Sequence, residues 1–405
     1  MSNTESLVKN LTSKDENAAL RAASEIINTS DFEAFKKLVE KTDFLFDFVK
    51  NNVARRLKNS VNSSNYKNLI QFFKVYSPDF DEALISKLTK FADEDLTDEI
   101  YSLLEEGTCD EKTYAAKYFS YIPDTIAQDL LEKYAFDEND YLSGNCAIAL
   151  SVMKDEKIYS EALEKLNSED EFEKLKAVKF LVAYNKKDAL EYIFNTMLSS
   201  AFAEHISAEL PFLCTFEEMA DSGKQDMALI TMLVILSGVP EIISLSSIAG
   251  YGIYDFIQKL VSEEQTPLTS LVLLKAYKLF EMLNGADEYL FDEDKYTKEE
   301  VNTIYTFLNS QSKDFWDKTK SLLGQALNLP EEISAITALR LIKDYNLEQF
   351  AKEVAELTKN SPELIRAEAI YTLKGLGKLE LVDKDSILAE IENENLKAII
   401  SDYFA

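Results

Sequence analysis

The sequence predicts an all-α fold, an α-solenoid of stacked antiparallel helix pairs with an elongated or arched outline. Three observations carry this expectation. In the middle of the chain the triplet Ala116/Phe119/Ile122 returns as Ala147/Leu150/Met153 and again as Ala177/Phe180/Ala183, at offsets of 31 and 30 residues. Second apolar stripes lie between the triplets, at Leu130/Leu131/Tyr134, Ala162/Leu163/Leu166 and Tyr192/Ile193/Met197, so each repeat holds two short amphipathic helices. Finally, 7 prolines and 10 glycines in 405 residues are too few for an all-β chain, while 46% apolar residues suffice for a packed core. One helix pair cannot bury its stripe alone, so neighbouring pairs stack and share a core.

Residues 1–42 read as a first helix pair, with Ser13 or Asp15 and then Ser30 or Asp31 in position to cap the two helices. About four helices follow between 43 and 105, "FLFDFVKNNVARRL", "YKNLIQFFKVY", "FDEALISKLTKF" and "LTDEIYSLLEE", without a clear period. The polar "NSVNSSN" at 59–65 joins two of them, and Asn62 to Asn65 can cap the second. With the three triplet-bearing repeats at 110–198, residues 1–199 form an N-terminal array. Residues 200–310 form a more apolar, irregular segment continuous with it, whose helices need cover on most faces as the core of the array or as a subunit interface. Gly238-Val239-Pro240 and Gly250-Tyr251-Gly252 punctuate that segment as turns.

An acidic stretch at 286–300 reads as a solvated loop, with Thr297 capping the next helix. It fails as a calcium loop: counted from Asp292, Thr297 stands where glycine is needed and Thr303 where glutamate is needed. A count from Asp137 fails likewise, at Leu142 and Ile148. Residues 311–405 return to repeats and end in a Glu- and Asn-rich cap helix. There Ala335/Ala369, Leu339/Leu373, Ile342/Leu376 and Leu347/Leu381 align at an offset of 34.

An acidic or amide residue precedes a basic one by six positions at Asp15/Arg21, Asp170/Lys176 and Asn360/Arg366, and Ala22, Ala177 and Ala367 follow the bases. On these residues, "DENAALRAA", "DEFEKLKAV" and "NSPELIRAEAIYTLKGLG" resemble the second helix of HEAT repeats, a likeness that covers about half the chain. The resemblance implies a ladder in which the acid and base of successive repeats bond along the stack. Asp110 and Asp140 keep the acid, while Ala116 and Cys146 stand in place of the base. It also implies a curved second-helix face offered to a protein or peptide, with Lys117, Lys179, Glu368 and Thr372 as candidate contact residues.

A count of 43 basic against 72 acidic residues gives a formal charge of −29, which repels nucleic-acid phosphates and anionic lipid headgroups. One stretch inverts that sign. No acid stands between Asp47 and Asp79, yet Lys50, Arg55, Arg56, Lys58, Lys67 and Lys74 do. Either this basic face pairs with the acidic surface of the next repeat, or Arg55, Arg56 and Lys58 dock an acidic partner.

Cys109, Cys146 and Cys214 have no pairing or metal-ligand spacing, which fits a reducing compartment. The N-terminus lacks a secretory pattern, and the least polar run, 227–239, is shorter than the ~20 residues that span a bilayer. The single histidine, His205, supports neither a metal site nor a triad, and no phosphate-binding glycine motif occurs. The HEAT-like deoxyhypusine hydroxylases need several His-Glu pairs, whereas this chain has only Glu204-His205, in reverse order. The expectation is a non-catalytic cytoplasmic scaffold or adaptor for a protein or peptide, without cofactor, nucleic acid or membrane insertion. Alternatives are a HEAT-like tetrapyrrole (bilin) lyase or chaperone subunit, and a homo-oligomeric component joined through 227–257.

Overall fold

The computed structural model describes residues 3–238, 252–285, 298–359, 361–391 and 393–404. Among them every regular element is helical, and the chain divides into two compact units, Met1–Tyr192 and Ile193–Ala405. The 286–297 part of the acidic loop, Thr297 included, Asn360, and parts of the turns at 238–240 and 250–252 fall outside the described residues.

Unit 1 runs through α1 (Asn3–Leu11), α2 (Glu16–Thr29), α3 (Phe32–Val39), α4 (Asp47–Ser60), α5 (Asp81–Leu88), α6 (Glu94–Glu106), α7 (Cys109–Tyr121), α8 (Gln128–Tyr134), α9 (Asp140–Met153), α10 (Glu156–Lys165) and α11 (Glu171–Tyr184) to α12 (Leu190–Ser199), in which the division falls. Short polar side chains take up the free N–H groups at the helix starts. Asp15, Asp31, Asn139, Asp155 and Asp170 cap α2, α3, α9, α10 and α11, and Thr108 with Glu111 forms a reciprocal box at α7. Left-handed residues close α2, α9 and α11: Ser30 at φ 53°, Lys154 at 57° and Asn185 at 57°. Each leaves only a short turn before the next helix.

Helices α2, α4, α5, α7, α9 and α11 lie side by side in that order, while α6, α8 and α10 pack back onto α7, α9 and α11. This is the stacked helix-pair arrangement that the repeat demands. α7, α9 and α11 begin at 109, 140 and 171, a constant step of 31. The first two members of every triplet are buried, and the third is half-buried. Tyr192 is instead exposed, and α12 buries Ile193, Phe194 and Met197. Two expectations between 43 and 105 also need correction. Residues 66–74 form a 3-10 helix, and Asn65 does not cap it, because its side-chain Oδ1 is turned back to accept from Asn62 N at 2.8 Å.

Unit 2 contains α13 (Ala203–Leu213), α14 (Phe216–Asp221), α15 (Gln225–Ser237), α16 (Ile253–Ser262), α17 (Pro267–Asn284), α18 (Lys298–Asn309), α19 (Lys313–Ser321), α20 (Leu323–Ala326), α21 (Glu332–Asp344), α22 (Ala351–Glu356), α23 (Glu363–Gly375), α24 (Lys384–Glu390) and α25 (Glu394–Tyr403). Its side-by-side layer is α15, α17, α21, α23, α25, with α22 and α24 backing α23 and α25. Every residue from 228 to 236 in α15 is buried, under cover from α13, α14, α17 and α21. That apolar run is core within the chain. The α21-to-α23 step is 31 at both ends, 332 to 363 and 344 to 375, which corrects the offset of 34. Three residues are nearly one helical turn, so either offset superposes apolar stripes.

Candidate interaction surface

Residues 31 apart occupy equivalent places on α7, α9 and α11, and the second, ninth and thirteenth residues of a helix share one face. Those places hold Asp110, Lys117 and Tyr121 on α7, Tyr141, Ile148 and Val152 on α9, and Phe172, Lys179 and Ala183 on α11. Asp110, Lys117 and Ala183 are half-buried, and the other six are exposed. The two lysines read from sequence therefore flank Ile148 in one row across three helices.

This face is tied together by pairs between successive second helices. Arg56 Nη2 lies 2.7 Å from Glu16 Oε2, and its Nη1 donates to Leu11 O at 2.9 Å. Lys117 Nζ lies 3.6 Å from both Asp81 Oδ2 and Glu82 Oε2. Lys176 Nζ donates to Asp137 O at 2.6 Å and lies 3.2 Å from Asp140 Oδ1. Glu16, Asp81 and Asp140 are each the first residue of their helix, where the positive end of the helix dipole favours a carboxylate. The Arg56 hydrogen bond holds the Glu16 carboxyl below the usual glutamate range.

A ladder is thus present on partly different residues. Asp15 and Asp170 cap their helices, Arg21 is exposed, and Lys176 contacts the preceding repeat through Asp137 O and Asp140. At α7, where Ala116 stands in place of the base, the next residue, Lys117, supplies it. At α9, where Cys146 stands buried, Asn145 Nδ2 approaches Tyr76 Oη at 3.4 Å, and Tyr76 donates to Asp81 Oδ2 at 2.6 Å. Burial, followed by that Asp81 bond, pushes the Tyr76 phenol above its usual range.

The acid-free stretch separates by burial. Arg56 is 5% exposed and internally bonded, so it drops out of the docking candidates. Lys50 is held between Asp79 at 3.2 Å and Asp47 at 3.4 Å. Arg55 is exposed and bonds Asn52, Lys58 is half-buried, and Lys67 and Lys74 are exposed. In unit 2, Thr372 is fully buried and donates to Leu339 O at 3.2 Å, which removes it as a contact residue. It is the tenth residue of its helix, the place filled by buried Ala149 and Phe180 in α9 and α11. Glu368 takes the sixth place, that of Lys176, and pairs with Arg340 of the preceding helix at 3.2 Å. Half-buried Arg366 is two places short of it.

Such a face can bury apolar side chains and meet charge; it brings no acid–base pair to a reacting centre. Sequence reading missed Tyr141, Ile148, Val152 and Phe172 as its apolar members. Applying the 31-residue step to the unburied positions would have found them. His205 is exposed, with its ring edge-on to Phe202. Among the described residues no cluster of His, Cys, Asp or Glu is arranged to hold a metal, and no helix is long and apolar enough to cross a membrane.

No protein-family model and no curated protein matches the chain. Solved structures do. An engineered protein matches at 13% identity over 100% of this chain and 98% of its own, with a TM-score of 0.28. Kap121p matches at 12% identity over 99% of this chain and 53% of its own, with a TM-score of 0.30, and Kap121p bound to Pho4p at 13% over 99% and 41%, with 0.24. The chain spans about half the length of these Kap121p chains. Its own geometry, helix pairs stepping by 31 residues with their second helices side by side, makes the chain a HEAT-like α-helical repeat protein.

Proposed function

We propose that the chain is a non-catalytic, cytoplasmic interaction scaffold that holds a protein or peptide partner against the second-helix face of α7, α9 and α11. The observation that carries this reading is the exposed column Tyr141, Ile148, Val152, set between Lys117 and Lys179 at equivalent helix positions. Covering ~200 Å² of apolar surface there contributes about 5 kcal/mol before the cost of ordering the partner. Lys117 is already neutralised by Asp81 and Glu82, so Lys179 is the cation that selects a carboxylate on the partner. Three free cysteines favour a reducing compartment, and the charge of −29 disfavours nucleic acid.

The test is affinity capture from the native cell with mass spectrometry, run on the wild type, Ile148→Asp and Lys179→Glu. A partner held by the wild type should be lost by Ile148→Asp with the fold still intact, because that side chain is 41% exposed. Lys179→Glu should weaken capture, more so at low salt. A partner retained in full by both variants would remove this face from the reading.

A further inference from the structure

The segment from Thr42 into the first turn of α4 holds three phenylalanines in water: Phe44 is 85% exposed, Phe46 75% and Phe48 52%. Phenylalanine is ordinarily an interior residue, and Phe35, Phe72, Phe73 and Phe80 of the same unit are fully buried. The segment is anchored at both ends. Thr42 is buried and donates its hydroxyl to Val39 O at 2.7 Å, Leu45 N donates to Thr42 O at 3.0 Å, and Lys50 is pinned by Asp79. Leu45 and Phe46 are extended, which sets side chains two residues apart on one side, and the rings of Phe46 and Phe48 stack at 6.0 Å.

Phe46 is also the N-cap residue of α4, where its side chain accepts no N–H, although aspartates fill that position on α2 and α3. Local stability is given up for an exposed ring. Asp43 and Asp47 flank the phenyls beside the exposed Lys41, and Lys50 is shared between Asp47 and Asp79, so three carboxylates stand against two ammonium groups and the rim of the apolar patch is net negative.

We propose that residues 43–48 form a second docking site, separate from the face on α7, α9 and α11, for a basic and apolar peptide segment of a partner protein. The phenyls enter the apolar side of that segment, and Asp43 and Asp47 meet its Lys or Arg side chains. Charge decides against the other occupants. A two-fold contact with a second copy sets these carboxylates against themselves on chains of −29 each, and a lipid surface draws them toward anionic headgroups.

The test is selection of a phage-displayed random dodecapeptide library on the full chain. Enriched peptides should combine Lys or Arg with aliphatic or aromatic residues. Their binding should fall about 10-fold or more with Phe44→Ser, Phe46→Ser and Phe48→Ser together, and again with Asp43→Lys plus Asp47→Lys, while Ile148→Asp leaves it unchanged. The triple serine variant should melt no lower than the wild type, because serine supplies the cap that Phe46 lacks. Three results would each overturn the proposal: no enrichment of basic and apolar peptides, equal binding of those peptides by the triple variant, or loss in that variant of self-association or of co-sedimentation with phosphatidylserine-containing vesicles.

Discussion

Burying a guanidinium leaves little room for error, and Arg56 is satisfied by one carbonyl, Leu11 O, and one carboxylate, Glu16. Its neighbour Arg55 is exposed and bonds only Asn52, with Glu16 3.8 Å away. Arg56→Ala should therefore cost about 1–3 kcal/mol by stranding the Leu11 carbonyl. Arg55→Ala should cost under ~1 kcal/mol, and the two denaturant midpoints separate these outcomes. Equal midpoints would mean that water replaces the Arg56 contacts. Sequence could not rank this pair, because two adjacent arginines differ only in the face of α4 they occupy. The same limit hid Thr372, whose hydroxyl marks it as polar while its helix position makes it core. What was legible at this scale was Lys176, whose spacing from Asp170 fixed its height on α11.

At the scale of the element, Asp15 accepts N–H groups from Asn17 and Ala18 at the start of α2. Asparagine caps as well as aspartate but carries no charge, so Asp15→Asn should leave the thermal midpoint unchanged while Asp15→Ala costs about 1 kcal/mol. If Asp15 were a rung of the ladder, both changes would be equally damaging. Caps and apolar stripes made most helices legible. The helix expected from Phe44 begins only at Asp47, because Phe44, Phe46 and Phe48 recur every second residue and cannot share one helix face. The C-terminal step failed more gently, since an alignment slipped by three residues returns nearly the same face.

For the whole molecule, charge sets the response to pH. Glu16 is held below its ordinary value first by its Arg56 bond, Glu156 by its Lys186 bond and Glu173 by its Lys165 bond. A carboxylate whose folded value is depressed stabilises the fold above its unfolded value, 4.5 for these glutamates, and loses that contribution as pH falls through the lower folded value. The thermal midpoint should stay level from about pH 8 to 5 and drop below 4.5. A midpoint that instead rises on acidification would mean that relief of self-repulsion outweighs these pairs. The imbalance of charge was plain in the sequence; that Glu16 and Glu156 are tied up depends on contacts 40 and 30 residues apart. That distance also governs how such a chain can change length over generations. A duplicated or deleted block of 31 residues begins and ends at one phase of the helix, so its junctions reuse turns already built on Lys154 and Asn185. One residue more or fewer inside a helix rotates all that follows by about 100°, and would swing Ile148 inward and a core alanine out to water.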